Sequence, residues 1–111
     1  MKIAILGYGK MGKTIERFAV QKGHSIVYKS GSDFIEGTLS EADVAIEFST
    51  PRTAVTNILA CFDLGIPVVS GTTGWLDKKT ELDQYCNKTE GSYLYSSNYS
   101  IGVNIFFAIK Y

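Results

Sequence analysis

Three glycines near the amino terminus have the spacing of a phosphate-binding turn. Gly7, Gly9 and Gly12 form a G-x-G-x-x-G string in the segment GYGKMG. The string follows a short apolar run, residues 2–6, and precedes a stretch with helical periodicity, which is the context that such a turn requires. Gly7 would allow the tight turn, Gly9 would let the backbone approach a pyrophosphate, and Gly12 would let the helix pack closely on the strand. The spacing therefore predicts a dinucleotide site at the start of the first helix.

The residues after the second predicted strand bear on which dinucleotide would fit. In sites of this kind, an acidic residue about 20 positions past the glycines accepts a hydrogen bond from the ribose 2′-hydroxyl of NAD. Lys29, Ser30 and Ser32 could instead satisfy the 2′-phosphate of NADP. Asp33 is the nearest carboxylate that could serve NAD, and an exposed loop without cofactor contact is the third alternative. The pattern favours NADP or dual use, so NADPH or NADH is the expected cofactor.

Two further polar loops follow buried strands, at the edge where open α/β sheets bind ligands. Ser49, Thr50 and Pro51 follow the predicted strand 44–48 and start a helix, with Thr50 as N-cap and Pro51 at the first helical position. The loop 71–74 reads GTTG and follows the next strand. A plain strand-to-helix turn would need only one glycine, and it does not explain two hydroxyls between two glycines. This loop is therefore predicted to line the ligand site.

Other reactive side chains are better explained by structural roles. Glu47 could be a catalytic carboxylate, but an acid at a strand end is more typically bonded to neighbouring loop N–H groups. The first predicted helix ends at Gly23, and His24, which follows it, is more typical of a helix-end residue than of a catalyst. Cys61 and Cys86 show neither a C-x-x-C spacing nor a nearby histidine, so they are predicted to be free thiols, and no metal site is expected.

The elements that must position these residues alternate between strand and helix patterns. This alternation predicts an α/β fold of the Rossmann type, an open parallel sheet of about five strands with helices on both faces and strand order 3-2-1-4-5. The predicted strands are 2–6, 25–29, 44–48, 66–70 and 92–95. Helices are predicted after the first turn, from Pro51, after an N-cap at Asp77 and from Ser100.

Composition limits the classes of function. The chain has 111 residues, the size of one domain with one core, and we treat 1–111 as that domain. Eleven Lys plus Arg balance eleven Asp plus Glu, which argues against nucleic acid or an anionic membrane surface as a partner. Long apolar runs and a signal-peptide pattern are lacking, so a cytoplasmic location is expected.

Four motifs occur in order along the chain: GYGKMG at 7–12, VAIEFSTP at 44–51, GIPVVSGTTGW at 65–75 and SSNYSIGVN at 96–104. Together they resemble one family, the 4-hydroxy-tetrahydrodipicolinate (dihydrodipicolinate) reductases of lysine and diaminopimelate biosynthesis. The last two motifs are the specific ones, because generic Rossmann domains do not share them. The resemblance implies an oxidoreductase that uses NADPH or NADH to convert 4-hydroxy-tetrahydrodipicolinate into tetrahydrodipicolinate.

The resemblance also implies roles for individual residues. Residues 7–12 would hold the pyrophosphate, 71–73 would line the nicotinamide side, and 96–99 would close over the nicotinamide ribose and carboxamide. Thr73 would also bind the small-molecule substrate. The predicted cofactor-binding residues are Gly7, Tyr8, Gly9, Lys10, Met11, Gly12, Lys29, Ser30, Ser49, Thr50, Gly71, Thr72, Thr73, Ser96, Ser97, Asn98 and Tyr99.

The family continues into a second domain that this chain lacks. That domain carries a catalytic motif of the form HHxxKxDxPSGTA, makes most substrate contacts and forms a homotetramer. The resemblance therefore implies a fragment that binds cofactor without turnover, and no catalytic residue is assigned. Two alternatives remain open: a nucleotide-sensing regulatory module, and the cofactor domain of another two-domain dehydrogenase, such as a semialdehyde or homoserine enzyme.

Overall fold

The structure, a computed structural model, describes residues 1–72, 74–91 and 93–95. Within these ranges the strands are β1 (Lys2–Leu6), β2 (Ser25–Ser30), β3 (Ile35–Gly37), β4 (Val44–Glu47), β5 (Val68–Ser70) and β6 (Tyr93–Tyr95). The helices are α1 (Lys10–Gln21), α2 (Pro51–Asp63) and α3 (Lys79–Thr89), with 3₁₀ turns at Leu39–Glu41 and Leu76–Lys78. The helix predicted from Ser100 lies outside the described residues.

The strands form one sheet in the order β3-β2-β1-β4-β5-β6. β3 pairs antiparallel with β2, and the remaining pairs are parallel. The predicted Rossmann-type α/β class is therefore confirmed. The predicted strand order was wrong, because the third predicted strand, 44–48, does not lie outside β2. It forms β4, which pairs with β1 on the side away from β2.

Burial explains the position of β4. All four of its residues are inaccessible to solvent, as is typical of an interior strand of a parallel sheet. The place outside β2 is taken by β3, whose three residues are exposed. The chain reverses between the two strands: Gly31 N donates to the carbonyl of Phe34 at 3.0 Å. Gly37 has a φ of 87°, which a residue with a side chain rarely adopts.

Helices cover both faces of the sheet, as predicted. α1 buries Ile15 and Ala19 against one face, together with isoleucines of β1 and β4. α2 and α3 cover the other face, where Ile58 and Leu82 are buried. Trp75 is buried in the same cluster. No helix in the described ranges is long and apolar enough to cross a membrane.

Local signals fix the helix ends. Gly23 has a φ of 87° and ends α1, as predicted. Thr50 caps α2 with Pro51 at its start, which is also as predicted. The predicted cap at Asp77 was wrong: this residue lies in the 3₁₀ turn before α3, whose N-cap is Lys78.

Candidate functional site

The three glycines of the first turn differ in their surroundings. Gly7 has a φ of 107°, and a Cβ there would overlap the carbonyl oxygen of Phe48. A Cβ on Gly12 would lie 2.6 Å from the carbonyl oxygen of Gly7, so α1 packs directly on the turn. A Cβ on Gly9 would meet no heavy atom within 4 Å. The fold therefore requires Gly7 and Gly12 to be glycine, whereas Gly9 borders space that a ligand can occupy.

The glycine turn connects β1 to α1 and is hydrogen-bonded to the end of β2. The N–H groups of Gly7 and Tyr8 both donate to the carbonyl oxygen of Ser30, each at 2.8 Å. α1 begins at Lys10 with Gly9 as its N-cap. The first N–H groups of a helix have no acceptor within the helix, and a glycine cap has no side chain to supply one. The start of α1 is therefore suited to an anion such as a phosphate.

Two cavities run along the carboxyl ends of the strands and share the glycine turn. The first has a volume of about 440 Å³ and is lined by Gly7, Tyr8, Gly9, Ser30, Gly31, Ser32, Phe48, Ser49, Thr50, Thr53 and Asn57. The second has a volume of about 410 Å³ and is lined by Gly7, Gly9, Lys10, Met11, Phe48, Ser49, Pro51, Gly71 and Thr72. The result is an elongated cleft with the turn at its middle, a shape that fits a dinucleotide with its pyrophosphate at the turn.

A buried carboxylate connects the two loops that line the second cavity. Glu47 is fully buried and accepts hydrogen bonds from Ser70 Oγ at 2.7 Å and from Thr72 Oγ1 at 2.9 Å. The hydroxyl of Ser49 donates to the same carboxylate. Thr72 Oγ1 also accepts from the backbone N–H of Ser49 at 2.8 Å. The structural interpretation of Glu47 fits this network, although its partners are hydroxyls instead of the predicted loop N–H groups.

The hydroxyl of Thr50 serves helix α2. The backbone N–H of Thr53 donates to Thr50 Oγ1 at 3.3 Å, and the backbone N–H of Thr50 donates to Thr53 Oγ1 at 3.2 Å. This reciprocal arrangement is a capping box. Thr50 thus lines the cleft, while its side chain satisfies the start of the helix.

Lys29 is held by acidic residues beside the first cavity and is not among its lining residues. Its ammonium lies 2.9 Å from Glu16 Oε2 and 3.7 Å from Glu36 Oε2. It also lies 4.7 Å from the centre of the Tyr8 ring, and the Tyr8 hydroxyl donates to Glu16. These bonds lower the pKa of Glu16 and raise the pKa of Lys29, so the two groups stabilise each other's charged forms.

The structure brings together most of the predicted cofactor residues that it describes. Ten of them line the cleft, whereas Gly12 lies under the turn and Lys29 lies in the ion pair. Thr73, 96–99 and their predicted roles, including the substrate contact of Thr73, lie outside the described residues. The cleft also contains residues that the sequence did not single out: Phe48, Thr53 and Asn57. A signal existed for Thr53 and Asn57, because they are four residues apart and share one face of α2.

The remaining reactive residues lie elsewhere. His24 is buried after α1, with its Nδ1 3.0 Å from the amino group of Met1, and burial lowers its pKa. Cys61 is buried in α2, and burial raises its pKa to about 12. Cys61 and Cys86 are free thiols, as predicted. Within the described residues no group of three or more His, Cys, Asp or Glu side chains could hold a metal ion.

Comparison with known sequences gives consistent matches. Residues 1–99 match the protein family described as "Dihydrodipicolinate reductase, N-terminus". The chain is 49% identical over 112 residues to the 4-hydroxy-tetrahydrodipicolinate reductase of Christiangramia forsetii, covering 99% of this chain and 47% of that protein. It is 30% identical over 132 residues to the enzyme of the same name from Acinetobacter baumannii, covering 94% of this chain and 47% of that protein. The chain thus spans about half the length of the curated relatives it matches.

Solved structures share the fold at low sequence identity. Homoserine dehydrogenase from Thermoplasma acidophilum has a TM-score of 0.72 at 15% identity, covering 86% of this chain and 42% of that chain. A hyperthermophilic archaeal homoserine dehydrogenase in complex with NADPH has a TM-score of 0.67 at 12% identity, covering 86% and 43%. At these identities the likeness concerns the fold alone.

Proposed function

The chain belongs to the dihydrodipicolinate reductase family and corresponds to its NAD(P)H-binding N-terminal part, and from that premise we propose that the cleft around the GYGKMG turn is the cofactor site. The observation that carries the assignment is the open space at Gly9, directly before α1 and between the two cavities. A bound NAD(P)H would supply the hydride, while the protein supplies binding and orientation.

Each part of the cleft has a proposed task. Gly9 and the start of α1 hold the pyrophosphate, because backbone N–H groups and the helix dipole favour negative charge there. Ser30 and Ser32 line the first cavity and take the adenosine side. Gly71 and Thr72 line the second cavity and take the nicotinamide side. As the family resemblance implies, Thr73 and residues 96–99 complete that side, and Thr73 also contacts the substrate.

The reaction that we propose is the reduction of 4-hydroxy-tetrahydrodipicolinate to tetrahydrodipicolinate, in lysine and diaminopimelate biosynthesis in the cytoplasm. The matched relatives carry this name over about twice the length of the present chain. We propose that 1–111 is the dinucleotide-binding domain, and that the other half of such a reductase provides most substrate contacts and the homotetramer contacts. The 111 residues alone should then bind the cofactor without turnover.

Replacing Gly9 tests the cofactor site. Gly9→Val places a branched side chain in the open space, where its Cβ meets no heavy atom within 4 Å, so dinucleotide binding should be lost while the fold remains. Titration with NADH and NADPH, followed by nucleotide fluorescence, should show saturation for the wild type and none for the variant. Gln21→Val, at an exposed position late in α1, is the control and should bind normally. Unchanged affinity in a folded Gly9→Val chain would refute the site.

A further inference from the structure

The glycine turn places Tyr8 against the side chain of Lys29, near the end of β2. The carbonyl of Ser30 binds the N–H groups of Gly7 and Tyr8, so the turn and the strand end are fixed relative to each other. The Tyr8 ring then lies over the ammonium of Lys29, and Phe34 packs edge-on against the same ring at 5.9 Å between centroids. This packing leaves Lys29 beside the first cavity, one residue before Ser30, which lines it.

Glu16 on α1 completes the arrangement. One of its carboxylate oxygens accepts from the Lys29 ammonium at 2.9 Å, and the other accepts from the Tyr8 hydroxyl. About a quarter of each charged side chain is exposed, 24% for Lys29 and 25% for Glu16, so the pair is partly shielded from solvent. Glu36 adds a second negative charge 3.7 Å from the same ammonium. The positive charge of Lys29 is therefore already neutralised.

NADH and NADPH require different partners beside the first cavity. The 2′-hydroxyl of NADH needs only a neutral hydrogen-bonding partner, and Ser30 and Ser32 offer hydroxyls along the first cavity. The 2′-phosphate of NADPH carries close to two negative charges and is best held by a cation. Lys29 could serve it only by leaving Glu16, which would expose the phosphate to the carboxylates of Glu16 and Glu36.

We propose that Glu16 is a positioning residue that makes the chain prefer NADH over NADPH, by holding Lys29 against Tyr8 and away from the 2′ position. This inference rests on the proposed cofactor site and decides between the two cofactors that the sequence left open. The sequence slightly favoured NADP because Lys29 stands beside Ser30 and Ser32, and the ion pair with Glu16 removes that advantage.

The test compares the dissociation constants of NADH and NADPH for a set of variants, with circular dichroism and Trp75 fluorescence as checks of folding. The wild type should bind NADH more tightly. Glu16→Gln should strengthen NADPH binding about tenfold and leave NADH within about twofold, because a charge-assisted bond becomes available to the phosphate. Adding Lys29→Gln to Glu16→Gln should abolish that gain, which identifies Lys29 as the group that Glu16 restrains.

Two single variants separate this mechanism from a general change in charge. Glu36→Gln removes the same charge near Lys29 but is 65% exposed and more distant, so it should raise NADPH affinity clearly less than Glu16→Gln. Lys13 is a second ammonium near the Tyr8 ring, at 5.9 Å, and Lys13→Gln should leave the ratio of the two constants unchanged.

The outcomes that contradict the proposals differ. A folded wild-type chain that binds neither dinucleotide would overturn the cofactor site, and this inference with it. A chain that binds both, but prefers NADPH, would overturn the inference alone. The inference alone is also overturned if Glu16→Gln leaves the ratio of the NADPH and NADH dissociation constants unchanged. It is overturned as well if the variant with both Glu16→Gln and Lys29→Gln keeps the stronger NADPH binding.

Discussion

Replacing the buried carboxylate of Glu47 by an amide should destabilise the chain without changing its shape. In the native network Thr72 Oγ1 accepts the N–H of Ser49, so its own proton is directed at Glu47. Ser70 donates to the other oxygen. The carboxylate therefore acts as acceptor on both sides. An amide has one accepting oxygen, and an NH₂ group takes the place of the second oxygen. At least one of the hydroxyl protons that now point at Glu47 would then lose its acceptor.

The expected loss follows from the burial of the site. Hydrogen bonds to charged groups contribute about 1.5–3 kcal/mol each, and Glu47 is inaccessible to solvent, so water cannot replace the lost partner. For Glu47→Gln we expect a decrease of about 2 kcal/mol in the free energy of unfolding, which corresponds to a melting temperature lower by roughly 10 °C. Urea titration followed by the fluorescence of Trp75, the single tryptophan of the chain, measures this loss.

A matched variant shows whether the network is responsible. Glu41→Gln makes the same chemical change at an exposed position of the first 3₁₀ turn, and its effect should stay within about 0.5 kcal/mol. If Glu47→Gln were as stable as Glu41→Gln, an acceptor on both sides of Glu47 would not be required. The assignment of all three hydroxyls as donors to this carboxylate would then be wrong.

Two other substitutions test the turn and the histidine. Gly7→Ala should cost about 3 kcal/mol or more in urea titrations, because φ is 107° and the new Cβ would overlap the carbonyl oxygen of Phe48, and equal stability with the wild type would contradict this. For His24, burial and the nearby amino-terminal charge lower the pKa from its usual value of 6.5. The unfolded chain then binds more protons than the folded chain below about pH 6.5, so the free energy of unfolding should fall as pH falls through that value. His24→Gln should reduce that slope in urea titrations at several pH values, and an identical slope would contradict it.

The sequence predicted those features that short segments determine by themselves. Gly23 ends α1 and Thr50 starts α2 because glycine and threonine satisfy helix ends locally. The glycine turn was equally clear, since its context of strand and helix lies within residues 2–21. Local determination also explains why the α/β class was correct.

The features that the sequence did not predict depend on distant contacts. β3 is short and has no buried face, so it lacks the alternation that marks a strand. The place of β4 beside β1 depends on helices packing over both faces of the sheet. In the cleft, the hydroxyl partners of Glu47 include Ser70 and Thr72, which lie 23 and 25 positions away along the chain. Spacing along the sequence carries no signal for such partners.

The polar side chains of the cleft are largely engaged with the protein itself. The Ser49 hydroxyl donates to Glu47 and the Thr50 hydroxyl caps α2, and beside the cleft Lys29 is bound to Glu16. Their interactions fix the walls of the cleft before a ligand arrives, and such preorganisation reduces the entropy lost on binding. At the proposed cofactor site, recognition of the pyrophosphate would then rest mainly on the backbone at Gly9 and the start of α1. At the proposed site the glycine turn would bind the pyrophosphate that NADH and NADPH share. Glu16 and Lys29 would then bear only on the choice between these two dinucleotides.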